Sequence, residues 1–134
     1  MADNVLIIAL GSNFCQKESM ARAKDMLRPL FGGNISFTKE MWTQPIGIVS
    51  DKFLNCLAVT HTSLGHARIE EALKKVETEC GNTSQDRANN IVKMDIDILL
   101  LGAVKYHLKD WQRGYVKELL TEFEDLNQNR SLEF

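Results

Sequence analysis

The chain has 134 residues, of which 44% are hydrophobic and 25% are charged, a balance typical of one folded domain rather than a disordered segment. Its 16 basic and 18 acidic residues leave a net charge of −2, which argues against a general nucleic-acid binder because such proteins need surplus Lys and Arg. No apolar run approaches the roughly 20 residues of a membrane-spanning helix. We therefore expect small-molecule partners, with no nucleic acid and no membrane.

The cysteines and the first residues bear on the compartment. Cys15, Cys56 and Cys80 are odd in number and have no Cys-x-x-Cys spacing, which favours free thiols in a reducing environment. Asp3 and Asn4 precede the first apolar run, so the pattern of a signal peptide is missing. We expect a cytoplasmic monomer.

The first half of the chain predicts two strands around a helix. Val5–Leu10 is a short apolar run that predicts a buried strand, and Gly11-Ser12-Asn13 favours a turn after it. Apolar residues then recur every three or four positions from Gln16 to Leu30, which predicts an amphipathic helix. Alternation between Asn34 and Trp42 predicts a second strand.

The middle of the chain predicts a third strand and a second helix. The strand runs from Phe53 to His61, and Ser63 is the expected N-cap of the helix. The apolar stripe of that helix extends from Ile69 to Cys80, with Gly81 just past its end. The segment Asn82–Asn90 is polar and has neither period.

The last part predicts a fourth strand, Met94–Leu101, and a short third helix from Trp111 to Phe123. Alternation places Ile96, Ile98 and Leu100 on one face of this strand, and Asp95, Asp97, Leu99 and Leu101 on the other. We expect one domain over 1–124 and a polar tail over 125–134.

The predicted order of elements is βαββαβ with a terminal helix. Two helices on one face of a four-stranded antiparallel sheet is the ferredoxin-like solution for this order, in the α+β class. This fold hosts many functions, so it does not specify the chemistry.

Asp95 and Asp97 form the sharpest chemical feature of the sequence. Strand alternation places them on one face, with Cα atoms roughly 6–7 Å apart, although Asp is depleted in strands. Two carboxylates with open positions suit Mg²⁺, which keeps waters and takes further ligands from phosphate. Alternatively, the face is partly solvated, or Arg87 or Lys93 pairs with the acids.

Two further groups of residues permit both a binding and a structural interpretation. The loop from Thr43 to Gly47 contains Pro45 and Ile46, and with Phe53 and Asn55 it offers backbone groups, a stacking surface and an amide. On the structural interpretation it is a hairpin loop beside a core Phe and a strand-edge Asn.

The second group lies near the C-terminal helix. Arg113 can hold phosphate in a bidentate fork beside His107, and Tyr115 can stack on a ring. Alternatively, these residues form a solvated helix start with Tyr115 packed on the sheet.

Short motifs occur in the order and near the spacing of those in a known enzyme family. They are Leu10-Gly11-Ser12-Asn13, Thr43-x-Pro45-x-Gly47, Phe53-Leu54-Asn55, Glu77 before Gly81, Asp95-Ile96-Asp97 leading to Leu101-Gly102, and His107 six residues before Arg113-Gly114-Tyr115. From about Val5 to Phe123 the chain resembles 6-hydroxymethyl-7,8-dihydropterin pyrophosphokinase, a folate-biosynthesis enzyme.

The resemblance implies a ferredoxin-like transferase that moves the β,γ-pyrophosphoryl group of MgATP to the pterin hydroxymethyl group and releases AMP. Asp95 and Asp97 would hold two Mg²⁺ ions and, with Arg113, form the catalytic centre.

The resemblance also implies which residues bind the two substrates. Phe53 and Tyr115 would sandwich the pterin, while Asn55 and the loop with Thr43, Pro45 and Ile46 would contact its edges. The implied nucleotide-binding residues are Glu77, His107 and Arg113.

The chain departs from this family where cations are expected. Asn82 stands where the family has Arg after the helix-ending Gly, and Asn89–Val92 stands where it has Trp-Gly-Pro-Arg. Arg87 and Lys93 are the candidates to supply the lost positive charge. Two alternatives to the enzyme are a divergent homologue that binds a pterin or nucleotide without turnover, and a ferredoxin-like RNA-binding or regulatory module.

Overall fold

The computed structural model describes residues 3–123, so the predicted tail at 125–134 lies outside the described residues. The chain forms an α+β fold with one antiparallel sheet. The six strands are β1 (Asn4–Ser12), β2 (Ser36–Phe37), β3 (Met41–Thr43), β4 (Phe53–Thr62), β5 (Asp95–Leu101) and β6 (Val104–Lys105). The four α-helices are α1 (Gln16–Leu30), α2 (His66–Glu79), α3 (Ser84–Ala88) and α4 (Gly114–Leu120), with 3₁₀ turns at Asp110–Gln112 and Thr121–Phe123.

The sheet runs in the order β2–β4–β1–β5–β6, and β3 also pairs with β4. The prediction of four strands is wrong, because the second predicted strand is two short ones and β6 is added at the far edge. Phe37 lies opposite Ala58, whereas Met41 lies opposite Asn55, so one extra residue is inserted between β2 and β3. Thr38 occupies this break, where its Oγ1 accepts a 2.9 Å hydrogen bond from the Leu57 N–H.

A second irregularity lies in β5. Ile7 pairs with Leu100 but Ile8 pairs with Ile98, so Leu99 is an extra residue that forms a β-bulge. The predicted alternation is therefore correct through Leu99 and wrong beyond it. Leu100 joins Leu99 on the face of the acids, and Leu101 packs on the opposite face.

Both faces of the sheet are covered by helices. α1 and α2 pack on the first face, where the core includes Ile8 and Leu10 of β1, together with Leu27 and Leu73 of the two helices. α4 packs on the second face, against Ile7 of β1 among others. This second layer covers only part of its face, and the rest of that face carries the predicted site.

Three predictions about helices also change. α2 has Gly65 as its N-cap rather than Ser63. The polar segment Asn82–Asn90 contains α3, capped by the Thr83 side chain, which accepts from the Asp86 N–H at 3.1 Å. The predicted third helix is divided into a 3₁₀ turn, α4 and a second 3₁₀ turn.

Within the described residues, no helix is long and apolar enough to cross a membrane. The three cysteines are free thiols, Cys15 at the surface and Cys56 and Cys80 buried.

Candidate functional site

A cavity of about 210 Å³ opens on the part of the second sheet face that α4 leaves uncovered. The central strand β1 provides its floor with the small residues Ala9 and Gly11. In the sheet Gly11 lies between Asn55 and Asp95, and Ala9 is paired with Asp97. Because these floor residues have little or no side chain, the polar groups of β4 and β5 face a shared open space.

Aromatic and polar side chains form the walls of this cavity. Phe53 and Tyr115 both line it, as do Thr43, Ile46 and Asn55. The Asn55 Nδ2 donates to the Thr43 Oγ1 at 2.8 Å, which ties the loop after β3 to β4. The structure therefore brings together every predicted pterin-binding residue except Pro45, which lies in the same loop without lining the cavity.

Gly11 is required at its position for a steric reason. A Cβ there would lie 3.1 Å from the Asn55 Oδ1 and 3.7 Å from Cδ1 of Phe53. A larger residue would push the amide or the ring, so the Gly in the first motif preserves the shape of the cavity floor.

Asp95 and Asp97 line the cavity together, as their spacing predicts. Burial raises the pKa of both carboxyl groups above the ordinary value. Arg87 and Lys74 oppose this shift in the pKa of Asp95, and His107 opposes it in the pKa of Asp97. Burial therefore disfavours the ionised forms of Asp95 and Asp97, and a bound cation would stabilise them.

The donor set fits Mg²⁺ better than a metal that needs a full protein cage. Among residues 3–123, no three His, Cys, Asp or Glu side chains are grouped to hold a metal ion. Two carboxylates leave most coordination positions to water and phosphate oxygens, which is the usual environment of Mg²⁺ beside a nucleotide.

The segment from His107 to Arg113 borders the cavity and is held by Trp111. The Trp111 Nε1 donates to the carbonyls of Leu99 and Tyr106, at 3.2 and 3.0 Å. His107 has a φ of 53°, in a region that residues other than Gly rarely adopt, and its Nε2 lies 3.9 Å from Asp97 Oδ1. His107 therefore lies beside the acid pair, although it does not line the cavity.

Arg113 lines the cavity and is paired with a residue that the sequence argument missed. Its Nε donates to the Asp110 Oδ1 at 2.9 Å, and Asp110 lines the cavity too. The spacing of three residues from Arg113 was the available signal for this pair. Gln44 is a second lining residue that was missed.

A second cavity of about 280 Å³ lies between α2 and α3, and it contains two more of the predicted residues, Glu77 and Arg87. Arg87 Nη2 lies 3.7 Å from Asp95 Oδ1, so this cavity adjoins the acid pair. Glu77 Oε2 accepts a 2.7 Å hydrogen bond from the Ile96 N–H, and burial raises its pKa. Lys74 lines the same cavity and was also missed.

The Lys93 side chain is directed to other partners. Its Nζ lies 3.1 Å from both Asp86 Oδ2 and the Gly81 carbonyl oxygen, and it lines neither cavity. Of the two candidates to supply the lost positive charge, Arg87 is the one that the structure brings next to the acids.

The Asn13 side chain forms two hydrogen bonds to the loop Asn89–Val92, where the resemblance leads one to expect Trp and Arg. Its Nδ2 donates to the Asn90 carbonyl at 2.8 Å, and its Oδ1 accepts from the Val92 N–H at 2.6 Å. Asn82 bonds in a similar way to the backbone of Lys93 and Met94. The two asparagines thus hold both sides of the segment that leads into β5.

Comparison with known proteins identifies the family of the chain. The family model for 7,8-dihydro-6-hydroxymethylpterin-pyrophosphokinase (HPPK) matches residues 7–125. The chain belongs to the HPPK family. The resemblance predicted from the ordered motifs is therefore confirmed at the level of the family.

One relative is the "Folate synthesis bifunctional protein" of Arabidopsis thaliana, which is 28% identical over 140 aligned residues. The alignment covers 93% of this chain but 28% of that protein. The likeness to this bifunctional protein is therefore confined to a portion of it.

Proposed function

We propose that this HPPK-family protein transfers pyrophosphate from MgATP to the hydroxymethyl group of 6-hydroxymethyl-7,8-dihydropterin and releases AMP. The observation that carries the proposal is the single cavity in which Phe53 and Tyr115 lie near Asp95 and Asp97. It offers stacking walls for a flat ring next to carboxylates suited to a metal-bound triphosphate. The proposed domain is 1–124, with a ferredoxin-like βαββαβ core to which β3 and β6 add short strands.

The pterin would bind between Phe53 and Tyr115. The Thr43 hydroxyl, the Asn55 amide and the backbone of the loop at Pro45 and Ile46 would bond to its polar edges. The cavity of about 210 Å³ combines the apolar and aromatic side chains of Ile46, Phe53 and Tyr115 with polar groups that would fix the orientation of the ring.

The nucleotide would bind with its triphosphate across the acid pair. Asp95 and Asp97 would hold two Mg²⁺ ions, which when bound neutralise phosphate charge and align the reacting groups. Glu77 would contact the nucleoside portion. Arg113 and His107 would contact the phosphates from the side of the 3₁₀ turn.

Arg87 and Lys74 would supply positive charge from the second cavity. Arg87 is already 3.7 Å from Asp95, and both cations oppose the rise that burial causes in the pKa of that carboxyl. Lys93 would contribute only by exchanging its partner Asp86 for a phosphate. This distribution is our explanation of how the chain works without the arginines at Asn82 and in the loop Asn89–Val92.

The proposed reaction requires no covalent bond between the protein and either substrate. The hydroxymethyl oxygen attacks the β-phosphorus, the bond from that phosphorus to the α-phosphate oxygen breaks, and AMP leaves with the electron pair. The hydroxyl proton passes to solvent or to a phosphate oxygen. Positioning of the two substrates and stabilisation of negative charge by Arg113, Arg87 and His107 supply the rate enhancement.

The decisive experiment is AMP release from ATP, Mg²⁺ and 6-hydroxymethyl-7,8-dihydropterin. We expect turnover that requires the pterin and falls on the order of a thousandfold in Asp97→Asn, an isosteric change that removes the charge. Asp25→Asn, at an exposed ion pair of α1, is the control and should retain full activity. Turnover that is the same without pterin, or unchanged in Asp97→Asn, would overturn the proposal.

A further inference from the structure

The pair formed by Asp110 and Arg113 lies at the edge of the cavity described above. The two residues are three positions apart in the chain, around the 3₁₀ turn Asp110–Gln112, and the Arg113 backbone N–H donates to the Asp110 carbonyl at 3.0 Å. The side chains then meet again, with Nε of Arg113 2.9 Å from Oδ1 of Asp110. Only about a third of each side chain is exposed. The pair is therefore better defined than an ion pair on an open surface.

The atom of Arg113 that Asp110 engages matters for its chemistry. Among the described residues, the guanidinium makes its one hydrogen bond through Nε. The two terminal nitrogens remain for another acceptor, and these are nitrogens of the fork that binds phosphate or carboxylate in a bidentate manner. Asp110 thus holds the guanidinium through Nε and leaves the two terminal nitrogens to bind another group.

The pairing of Arg113 with Asp110 also affects the other charged residues around the cavity. Asp95, Asp97 and Asp110 all line the cavity, whereas Arg113 is the one Lys or Arg of residues 3–123 that does so. A mobile guanidinium beside two acids would pair with them and compete with a metal. With Asp110 as its partner, Arg113 makes no ion pair within 4.0 Å to Asp95 or Asp97 in the described part of the chain.

The position of Asp110 is itself determined by the fold. Its neighbour Trp111 is buried and bonded to the carbonyl of the bulge residue Leu99. Its own N–H donates to the His107 carbonyl at 2.8 Å. The sheet bulge, the tryptophan and the 3₁₀ turn therefore form one continuous support for the carboxylate.

We propose that Asp110 is a positioning residue that holds Arg113 by its Nε, so that the terminal nitrogens reach the triphosphate and stay off the metal-binding acids. This inference rests on the proposed function, since it gives Arg113 a phosphate to bind. It identifies a carboxylate whose effect is transmitted entirely through one arginine.

The test is a double-mutant cycle on the full chain. We expect Asp110→Ala to lower kcat/KM for MgATP about tenfold, since a charge-assisted hydrogen bond orients the arginine. Asp110→Asn keeps the acceptor oxygen and should stay within about threefold of the parent. In an Arg113→Ala background, Asp110→Ala should cause no further loss.

The matched control is Asp25→Ala, which removes the carboxylate of another pair at the same spacing, Asp25 and Arg28 at 2.7 Å on α1. It should leave kcat/KM unchanged, and thermal unfolding should show that all variants are folded. Full activity in Asp110→Ala, or an equal loss in the Arg113→Ala background, would overturn the inference. The latter result would mean that Asp110 itself touches metal or pterin.

Binding of Mg²⁺ with α,β-methylene-ATP, measured by calorimetry, separates this inference from the proposed function. If the parent binds the analogue but releases no AMP, the proposed function fails, and weaker binding by Asp110→Ala still supports the role of Asp110. If AMP is released and Asp110→Ala matches the parent in both assays, the inference alone fails. A parent that neither binds the analogue nor releases AMP contradicts both.

Discussion

The second face of the sheet has two ends that are built from the same three strands and carry opposite chemistry. The covered end lies under α4 and comprises the apolar residues Val5, Ile7, Leu57, Val59 and Leu99. The open end comprises Ala9, Gly11, Asn55, Asp95 and Asp97, and it forms the cavity.

The residues of β1 explain where one end gives way to the other. Along the strand, the side chains on this face shrink from Ile7 to Ala9 to Gly11. At Ile7 the neighbours are Val59 and Leu100, whereas at Gly11 they are Asn55 and Asp95. α4 is seven residues long and buries the apolar neighbours, so the polar ones remain beside open space. The comparison teaches that the stability and the site of this domain are separable along one sheet face.

The largest effect is expected from a change at the covered end. Leu119 of α4 is fully buried, so Leu119→Ala should lower the free energy of unfolding by about 3 kcal/mol through lost contacts and a cavity. Urea unfolding measures this, with the exposed Leu108→Ala as the control. Because the open end is built separately, the affinity of the folded variant for MgATP should stay unchanged. A large loss of affinity would show that the two ends are one unit.

Gly11→Ala fills the floor of the open end. The new methyl group would meet the Asn55 Oδ1 at 3.1 Å, so we expect pterin affinity to fall about tenfold, as if one good hydrogen bond were lost. Gly65→Ala is the control, since nothing lies within 4 Å of a Cβ at that position. Calorimetric titration with the pterin measures both. Equal affinities in the two variants would contradict the role of the glycine floor.

Two adjacent lysines sharpen the boundary of the open end. Lys74 lines the second cavity, which adjoins Asp95, whereas Lys75 lines a groove between α1 and α2. Both lysines are exposed, so solvent weakens their interactions with other charges, and Lys74→Ala should reduce MgATP affinity by only about fivefold. Lys75→Ala should leave it unchanged. Equal effects of the two variants would mean that general charge, and not a placed cation, attracts the nucleotide.

The smallest effect concerns the stability of the metal-free protein. Burial raises the pKa of Asp97 in the folded protein above its value of about 3.8 in the unfolded chain. The carboxyl group therefore favours the folded state most at a pH below 3.8, and this contribution is lost as the pH rises through the folded pKa. Asp97→Asn should therefore be slightly more stable than the parent at pH 7 in EDTA. The difference should shrink as the pH approaches 4. Urea unfolding at both pH values measures this, and a less stable variant at pH 7 would mean that the carboxylate has a stabilising partner.

Much of the fold could be predicted because it depends on local patterns. The stripe from Met20 to Leu27 predicts α1, and the apolar run Val5–Leu10 predicts the central strand, since burial acts on residues at fixed spacing. The shared face of Asp95 and Asp97 follows from the same alternation. Two errors in the sheet occur where one residue interrupts the period, at Thr38 and at Leu99.

The partners of the charged residues were harder to predict. Periodicity does not say whether Arg87 or Lys93 turns toward the acids, because Arg87 lies in the segment Asn82–Asn90 without a period and Lys93 precedes the predicted strand. Asp86 and the Gly81 carbonyl hold Lys93, which leaves Arg87 near Asp95. Long charged side chains have many rotamers, and their choice depends on neighbours that are distant in the sequence.

By itself, the sequence determined the three long strands β1, β4 and β5, the two long helices, the acid pair and the ordered motifs of the HPPK family, because each depends on residues close together in the chain. Only the tertiary structure decided that α4 closes one end of a face and leaves the other open, and that Asp110 holds Arg113 beside the cavity. Those features depend on the bulge at Leu99 and on the anchoring of Trp111. Both arise from contacts between strands and turns, which no local pattern specifies.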